Sequence, residues 1–307
     1  MPSRPNHKPG AERATFKPDV IETYPVATDG TLLDFLIAAM PQRKRTNVKE
    51  LLKHSQVAVN NVPQTRHDTL LHSGDVVKVN LVREFRQFYH RRLQMVYEDD
   101  DIIVVNKGYG LLSMGTDRIK DGTAYSILRE YVKWSNPANK LFIVHRLDRD
   151  TSGLMMFAKT ARAKDEMQHN WNNMVLNRQY LAVVEGVPEE KEGTIRSYLT
   201  ENSRHEVYST PNAREGQPAV TRYKTIKSRN GKSLLAVELD TGRKNQIRVH
   251  LKELGHPISG DRRYGGSPNS IHRLALHAQT LRFIHPTTRV EMNFTTPVPA
   301  SFLALLK

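Results

Sequence analysis

Apolar residues in the first third of the chain recur at two different periods. They first follow helical spacing, in two groups separated by a proline: Leu32, Leu33, Phe35, Leu36 and Ala39, then Pro41, then Val48, Leu51 and Leu52. Two valine-rich runs follow at 57–59 and 76–79, and the Asn60-Asn61 pair is typical of a turn. This order of elements predicts a small α/β unit over residues 23–82.

The apolar pattern after this unit is longer and mostly typical of strands. Buried strands are predicted where apolar runs stand between polar ends, at 102–105, 154–158, 180–184 and 234–239. Amphipathic stretches at 161–174 and 243–254 predict helices, and residues 192–232 are typical of a peripheral hairpin region. We therefore expect one larger domain over 95–307.

Polar segments divide the chain into four parts. Residues 1–22 combine prolines with basic residues and are expected to form a flexible basic tail. The unit over 23–82 is followed by a linker at 83–94 that alternates arginines with aromatic residues. These aromatics could stack on nucleic-acid bases or anchor the linker on the larger domain, and we favour anchoring. The larger domain covers 95–307.

The composition is strongly basic. The 307 residues include 46 Lys and Arg against 32 Asp and Glu, a net charge of +14. This excess indicates a polyanionic partner such as nucleic acid, although a solvated basic surface would have the same composition. The absence of cysteine excludes disulfides, thiol nucleophiles and Cys-based zinc sites. We find neither a run of about 18 apolar residues nor a secretory signal, so we expect a cytoplasmic protein outside the membrane.

The most polar segment between two apolar runs is 145–153, His-Arg-Leu-Asp-Arg-Asp-Thr-Ser-Gly. Loops on a rigid scaffold are common positions for functional residues. Asp148 lies between Arg146 and Arg149, and nearby cations hold a carboxylate ionised. An ionised Asp148 could act as a nucleophile, a general base or an arginine anchor. A structural ion pair with turn hydrogen bonds from the neighbouring hydroxyls is the alternative from the residues alone.

A second basic segment coincides with the helix predicted at 243–254. Its apolar residues share one helical face, and three of its basic residues lie four apart on another, namely Lys244, Arg248 and Lys252. Such a helix packs by its apolar face and offers cations to a carboxylate or a phosphate. Taken alone, the pattern is more typical of solvated surface residues.

Three motifs share one resemblance. The pattern His-Arg-Leu-Asp-x-x-Thr-Ser-Gly-Leu at 145–154 resembles the catalytic signature of the RluA/RluC/RluD class of RNA pseudouridine synthases. The pattern Thr-Gly-Arg-x-x-Gln-Ile-Arg-x-His-Leu-x-x-x-Gly-His-Pro-Ile-x-Gly-Asp-x-x-Tyr-Gly at 241–265 resembles the same class. Residues 178–186 resemble its Lys/Arg-x-Tyr-x-Ala-x-Val-x-Gly pattern. Asn245 stands where relatives commonly carry His, a difference expected to have little consequence.

The resemblance implies roles for individual residues. Asp148 would be the nucleophile, and Arg248 its bidentate partner, which orients it and keeps it charged. Tyr180 would pack on the uracil and assist proton transfer, and Arg146 would displace the target base from its helix. We further predict RNA contacts by residues near these motifs, namely His145, Arg149, Asn106, Lys107, Arg243, Lys244 and Lys252.

Residues 31–80 more loosely resemble a small RNA-binding module, first seen in a ribosomal small-subunit protein, that often precedes this class of enzyme. Leu32 stands where the module usually carries an arginine. Arg45 and Lys49, on the second predicted helix, are predicted to contact RNA. A solvated helix surface would carry the same residues.

The resemblance implies an α+β fold, with a mixed, largely antiparallel central sheet flanked by helices. It implies the isomerisation of specific uridines to pseudouridine in structured RNA, with base flipping and without a cofactor or metal. Large-subunit rRNA is the first expected substrate and tRNA the second, and we expect a monomer. Two other functions are open: a catalytically inactive RNA-binding or ribosome-assembly factor, and a carboxylate-based glycoside hydrolase, for which no second acid is evident.

Overall fold

The structure, a computed structural model, describes residues 19–86 and 88–307. The first 18 residues of the tail expected at 1–22 lie outside the described residues. The described chain divides into two compact units. One consists of residues 19–86 with Lys133–Ala138, and the other of Phe88–Val132 with Asn139–Lys307. No helix among the described residues is long and apolar enough to cross a membrane.

The first unit contains two helices and two small sheets. Its elements are β1 (Ile21–Pro25), β2 (Gly30–Thr31), α1 (Leu32–Ala39), α2 (Arg45–Lys53), β3 (Val57–Val59), β4 (Val62–Pro63), β5 (Leu70–Leu71) and β6 (Val76–Asn80). One sheet has the order β1-β6-β3-β4, and β2 pairs with β5. The two predicted helices and two predicted strands are confirmed. The turn prediction is also confirmed, since Asn60 and Asn61 both have positive φ and join β3 to β4.

Strand β1 was not predicted from the sequence, and its first two residues fall within the expected tail. β1 pairs antiparallel with β6 over its whole length, from Ile21↔Asn80 to Pro25↔Val76. Its side chains alternate between exposed and partly buried, so its apolar pattern is weak. A strand at the edge of a sheet tolerates this pattern, and it also tolerates a proline such as Pro25.

The second unit contains most of the strands. Its elements are β7 (Leu93–Glu98), β8 (Ile102–Lys107), α3 (Ala124–Ser135, whose last three residues are counted with the first unit), β9 (Phe142–Ile143), β10 (Ser152–Ala158), α4 (Ala161–His169), α5 (Trp171–Met174), β11 (Val175–Glu185), β12 (Glu192–Glu201), β13 (Val207–Thr210), β14 (Gln217–Arg229), β15 (Lys232–Leu239), α6 (Gln246–Glu253), β16 (Leu276–Ile284), β17 (Glu291–Thr295) and α7 (Ala300–Ala304).

The described strands of the second unit form one sheet of eleven strands. Nine follow the order β13-β12-β14-β15-β11-β16-β10-β8-β7, while β17 pairs with β16 and β9 with β10. Among these described strands only β10 and β16 run parallel, and the other neighbours are antiparallel. The predicted α+β class with a mixed, largely antiparallel sheet is confirmed.

The strands next to the polar loop at 145–153 are buried on both faces. On one face, Ile103, Val105, Met155 and Phe157 pack with apolar residues of α3. On the other, Ile102, Val104, Leu154 and Met156 pack with apolar residues of α4 and α5. Successive side chains of a strand point to opposite faces, so burial on both faces produces the continuous apolar runs of β8 and β10.

Two predicted helices have different limits. The helix predicted at 243–254 begins at Gln246, because Asn245 takes the left-handed conformation with φ 54°. Lys244 therefore precedes the helix, and the predicted stripe of Lys244, Arg248 and Lys252 on one helical face is wrong. The stretch at 161–174 forms two helices, α4 and α5, with Asn170 between them.

The aromatic residues of the predicted linker at 83–94 have different environments. The ring of Phe88 packs edge-on against Tyr131 of α3, with 5.2 Å between centroids. Tyr89 is 90% exposed. Anchoring is confirmed for Phe88, whereas Tyr89 makes no such contact among the described residues.

Candidate active site

A pocket of about 440 Å³ opens in the second unit, and we call it the central pocket. Its walls come from the loop before β10, from α5 and β11, and from the segment that joins β15 to α6. Its lining residues include Val144, His145, Arg146, Leu147, Asp148, Thr151, Trp171, Asn172, Arg178, Tyr180, Asp240, Gly242, Arg243, Asn245 and Arg248. The structure thus brings together Asp148, Tyr180 and Arg248, which the sequence places in three distant motifs.

The loop that carries Asp148 is held by hydrogen bonds to its backbone. The Ser113 hydroxyl donates to the carbonyl of Leu147 (2.6 Å) and accepts from its N–H (3.1 Å). The loop leads into β10 at Gly153, where φ is +119° and an added Cβ would lie 2.1 Å from the Ala278 carbonyl oxygen. Only glycine fits such a close approach, so the backbone of β16 determines where this loop ends.

Lys107 also supports the loop, and the prediction that it contacts RNA is wrong. Its side chain is fully buried at the end of β8. Its Nζ donates to the carbonyls of Leu111 (2.8 Å), Arg149 (3.1 Å) and Gly108 (3.2 Å). Burial lowers the pKa of Lys107 to about 7. A polar residue at a strand end suggested exposure, but the ammonium group turns inward to carbonyl oxygens.

The Asp148 carboxylate is partly buried, and no side chain of the described residues forms a hydrogen bond or an ion pair with it. Burial raises the pKa of Asp148, while the charges of Arg248, Arg146, Lys107 and Lys244 act in the opposite direction. The sequence indicated the effect of the neighbouring arginines on Asp148, but desolvation of the carboxylate, which has the larger effect, could not be predicted from it. The site raises the free energy of the ionised carboxylate.

Arg248 has a different bidentate partner from the one predicted. Its Nε and Nη2 donate to the two carboxylate oxygens of Asp261, both at 2.7 Å, and its Nη1 donates to Asn245 Oδ1 at 3.0 Å. Tyr264 covers the guanidinium, with Cζ 4.7 Å from the ring centroid. The predicted bidentate pair with Asp148 is thus replaced by a pair with Asp261. Arg248 still exerts the largest favourable charge effect on Asp148.

Asn245 connects this arrangement to the start of α6. Its left-handed φ of 54° is one that Asn adopts more readily than most residues. Its Oδ1 accepts from Arg248, and its Nδ2 donates to the Tyr264 hydroxyl at 3.1 Å. These contacts were not expected from the sequence, where Asn in place of His at position 245 was predicted to have little consequence. Asp261 and Tyr264 were not predicted as site residues, although both lie in the motif at 241–265.

Tyr180 and Arg178 reach the pocket from the same strand. They are two residues apart in β11, so their side chains share one face of the sheet. Burial raises the pKa of Tyr180, and the charge of Asp148 raises it further, so the phenol is neutral at physiological pH. Arg178 and the pocket residues Trp171 and Asn172 were not predicted as site residues from the sequence. Arg178 could have been predicted from its place in the motif at 178–186, whereas Trp171 and Asn172 lie outside that motif.

His145 lines the pocket as a neutral imidazole. Its Nε2 accepts a hydrogen bond from the Met156 N–H at 2.9 Å, so the ring proton is on Nδ1. Burial lowers the pKa of His145 to about 3, which keeps the ring neutral at physiological pH. The ring lies 5.2 Å from that of Trp171.

The other predicted RNA contacts lie in several places. Arg146 and Arg243 are exposed and line the pocket, whereas the remaining residues do not line it. Arg149 forms two hydrogen bonds with Asp150, and Lys244 pairs with Glu201 at 2.6 Å. The others are distributed over β8, α6 and the first unit, where Asn106 is partly buried and Lys252, Arg45 and Lys49 are exposed.

Comparison with known proteins identifies the class of this fold and site. The family model described as RNA pseudouridylate synthase matches residues 101–253. An uncharacterized RNA pseudouridine synthase of Mycoplasma genitalium is 31% identical over 92% of this chain and 94% of its own length. The ribosomal large subunit pseudouridine synthase D of Escherichia coli K12 is 33% identical over 91% of this chain and 90% of its own.

A solved structure gives the same result. Human RNA pseudouridylate synthase domain containing 4 has a TM-score of 0.58 and 25% identity, and the match covers 69% of this chain and 91% of that chain. The chain belongs to the RNA pseudouridylate synthase family. It is therefore an isomerase that acts on RNA, as the three sequence motifs predicted.

Proposed function

We propose that the protein isomerises specific uridines of large-subunit rRNA to pseudouridine, with Asp148 as the catalytic carboxylate. The observation that carries the proposal is the meeting of Asp148, Tyr180 and Arg248 in one pocket of about 440 Å³. The relatives named as ribosomal large subunit pseudouridine synthases support rRNA as the substrate.

The reaction exchanges one bond for another. The bond between ribose C1′ and uracil N1 breaks, the base turns, and C1′ bonds to C5, which loses its proton while N1 gains one. No electrons are gained or lost overall, so an oxidant or reductant is unnecessary. The ionised Asp148 either attacks the ribose or assists cleavage of the glycosidic bond. The target base leaves its stack to reach this partly buried group, as other base-modifying enzymes require.

Two other residues act on the base. The Tyr180 ring packs on the uracil, and its raised pKa keeps the hydroxyl protonated as a proton donor. Arg146 is an exposed residue of the pocket lining. It displaces the target base and fills the space that this base leaves in the RNA helix. Arg248 contributes a fixed positive charge that favours the ionised Asp148.

We also propose that residues 23–82 bind RNA through the exposed cations of α2, including Arg45 and Lys49. An Arg45→Gln, Lys49→Gln double variant is expected to bind RNA more weakly. Each phosphate contact releases counterions. The slope of log binding constant against log salt concentration should therefore become shallower by about two, one for each lost contact. An unchanged salt dependence would rule out a contribution from these two residues.

The decisive experiment uses Asp148→Asn on in vitro transcripts of large-subunit rRNA. Pseudouridine has the same mass as uridine, so product is measured by chromatographic nucleoside analysis. We expect at least a roughly thousandfold loss of activity, equivalent to about 4 kcal/mol of transition-state stabilisation. Glu291→Gln, at an exposed surface pair with Arg282, is the control and should retain full activity. Full activity of Asp148→Asn would contradict the proposal.

Parallel reactions with tRNA transcripts test the second substrate class. If product forms on tRNA alone, rRNA is rejected as the substrate, and the proposed isomerisation of uridine by Asp148 is retained. A wild-type protein that binds both RNAs and forms no product would instead favour the inactive RNA-binding factor. The comparisons do not favour that alternative, since the matching relatives are named as synthases.

A further inference from the structure

The described lining of the central pocket includes four arginines, and the charge of three of them is stabilised by a carboxylate or by water. Arg248 is paired with Asp261, and Arg146 and Arg243 are exposed to water. Arg178 is only partly exposed, and no carboxylate of the described residues lies within 4 Å of its guanidinium. Removing a cation from water without an ion-pair partner is unfavourable. Among the described residues, Arg178 is therefore the partly buried cation of the pocket that lacks a protein counterion.

The protein holds the Arg178 guanidinium in place without using most of its donors. Within the described residues it makes one hydrogen bond, from Nη2 to the carbonyl of Leu239 at 3.2 Å. Its Cζ lies 5.7 Å from the centroid of the Trp171 ring. A guanidinium has five N–H donors, so several are available for a ligand in the pocket.

The neighbouring segment leaves room for the guanidinium, and its described residues place no carboxylate within 4 Å of it. An added Cβ at Gly242 would lie 2.7 Å from Nη1 of Arg178, so the guanidinium needs the space that a side chain there would take. Asp240, the acidic residue of this segment, favours the charged Arg178 from a longer distance and is itself bound by Arg222 at 2.8 Å. Burial lowers the pKa of Arg178, and this effect is consistent with a desolvated cation that is not paired.

We propose that Arg178 binds the phosphate attached to the target uridine, an inference that rests on the proposed function. The anionic groups of an RNA substrate are its phosphates, and a planar guanidinium suits them. Arg178 and Tyr180 are two residues apart on one strand face, about 7 Å along the strand. A ribose bridges such a gap, so the base lies on Tyr180 while its phosphate meets Arg178.

The first test needs no turnover. Binding of uridine, uridine 5′-monophosphate and uridine 3′-monophosphate to the full chain is measured by ligand-observed NMR titration. Wild type is expected to bind one of the monophosphates at least about tenfold more tightly than uridine, as a charged hydrogen bond provides. Arg178→Gln should bind all three alike. Arg282→Gln, at an exposed pair on β16 outside the pocket, should behave as wild type.

The outcomes separate this inference from the proposed function. If uridine binds and neither phosphate strengthens binding, or if the preference survives in Arg178→Gln, the phosphate contact is refuted while the uridine pocket stands. If none of the three ligands binds, the uridine pocket itself is refuted. Activity of wild type and Asp148→Asn on rRNA transcripts judges the proposed chemistry independently.

A second test uses steady-state kinetics with the RNA that wild type modifies. Arg178→Gln and Gly242→Ala should each raise KM about tenfold and change kcat less than about threefold, and Arg178→Lys should restore part of the loss. Gly242 has no positive φ, so alanine is expected to displace the guanidinium without backbone strain. Thermal unfolding of each variant checks the fold. A fall in kcat at unchanged KM would show a structural role and overturn the inference.

Discussion

The two sides of the central pocket use arginine in opposite ways. Near α6, the guanidinium of Arg248 is held by the carboxylate of Asp261, the amide of Asn245 and the ring of Tyr264. On β11, the guanidinium of Arg178 makes one hydrogen bond to a backbone carbonyl. The first arginine is fixed before any ligand arrives, whereas the second keeps its donors for one. The same side chain thus serves orientation on one side and binding on the other.

Local structure explains why the two arginines have different hydrogen-bonding partners. Asn245, Arg248, Asp261 and Tyr264 belong to one continuous segment of about 20 residues, which consists of the residue before α6, α6 itself and the chain that follows it. Arg178 lies in a strand, where neighbouring strands offer backbone groups that already form the sheet. Preorganised charges stabilise a reacting group without reorganisation, while an unpaired cation gains most from a bound anion.

The largest effect on this contrast is expected from Asp261→Asn. Loss of the carboxylate leaves the partly buried Arg248 without its counterion, and breaking such a pair costs about 3–5 kcal/mol. The free energy of unfolding from urea titration should fall by that amount, and kcat should fall with it. Glu291→Gln breaks an exposed pair and should cost at most about 1 kcal/mol. Equal losses in the two variants would refute a fixed Arg248.

A smaller effect is expected from Asn245→Gly. Glycine keeps the left-handed backbone but removes the amide that accepts from Arg248 Nη1, so kcat should fall about tenfold. Asn245→Asp keeps an acceptor and should retain more activity. Steady-state kinetics on the modified RNA measures both variants. A rise in KM without a fall in kcat would place Asn245 with the binding side of the pocket.

The pH dependence of activity should respond to the cations that act on Asp148 and not to Arg178. Because burial raises the pKa of Asp148, kcat/KM should fall on acidification at a higher pH than an exposed aspartate would allow. Arg146 lowers that pKa, so Arg146→Gln should move the acidic limb to higher pH. Arg178→Gln should leave the limb in place, since Arg178 is not among the cations that most lower the pKa of Asp148. A shift of the limb in Arg178→Gln would remove the distinction.

The smallest effect is expected from Trp171→Leu. The ring lies beside the Arg178 guanidinium, and such a cation–π contact contributes about 0.5–1 kcal/mol. KM for RNA should therefore rise about two- to fivefold, with kcat nearly unchanged. Trp134→Leu, a tryptophan that does not line the pocket, is the control. A larger effect on kcat than on KM would indicate that Trp171 instead positions His145.

Much of the architecture was predictable because its signals are local. The continuous apolar runs of β8 and β10 indicated buried strands, and Pro41 and the Asn60-Asn61 pair marked a helix end and a turn. β1 was missed because an edge strand buries few side chains. The start of α6 was misplaced because the left-handed backbone at Asn245 interrupts a pattern that otherwise has helical spacing.

The sequence by itself determined the family, the fold class and part of the pocket lining, because these are recorded in motif order and apolar periodicity. Only the tertiary structure decided which partner each charged group has. Arg248 pairs with Asp261 rather than Asp148, and Lys107 turns into the core. Within the described part of the chain, no carboxylate lies within 4 Å of the Arg178 guanidinium. Electrostatic and hydrogen-bonding effects depend on distances of a few ångströms and on exclusion of water, and residue spacing along the chain contains neither.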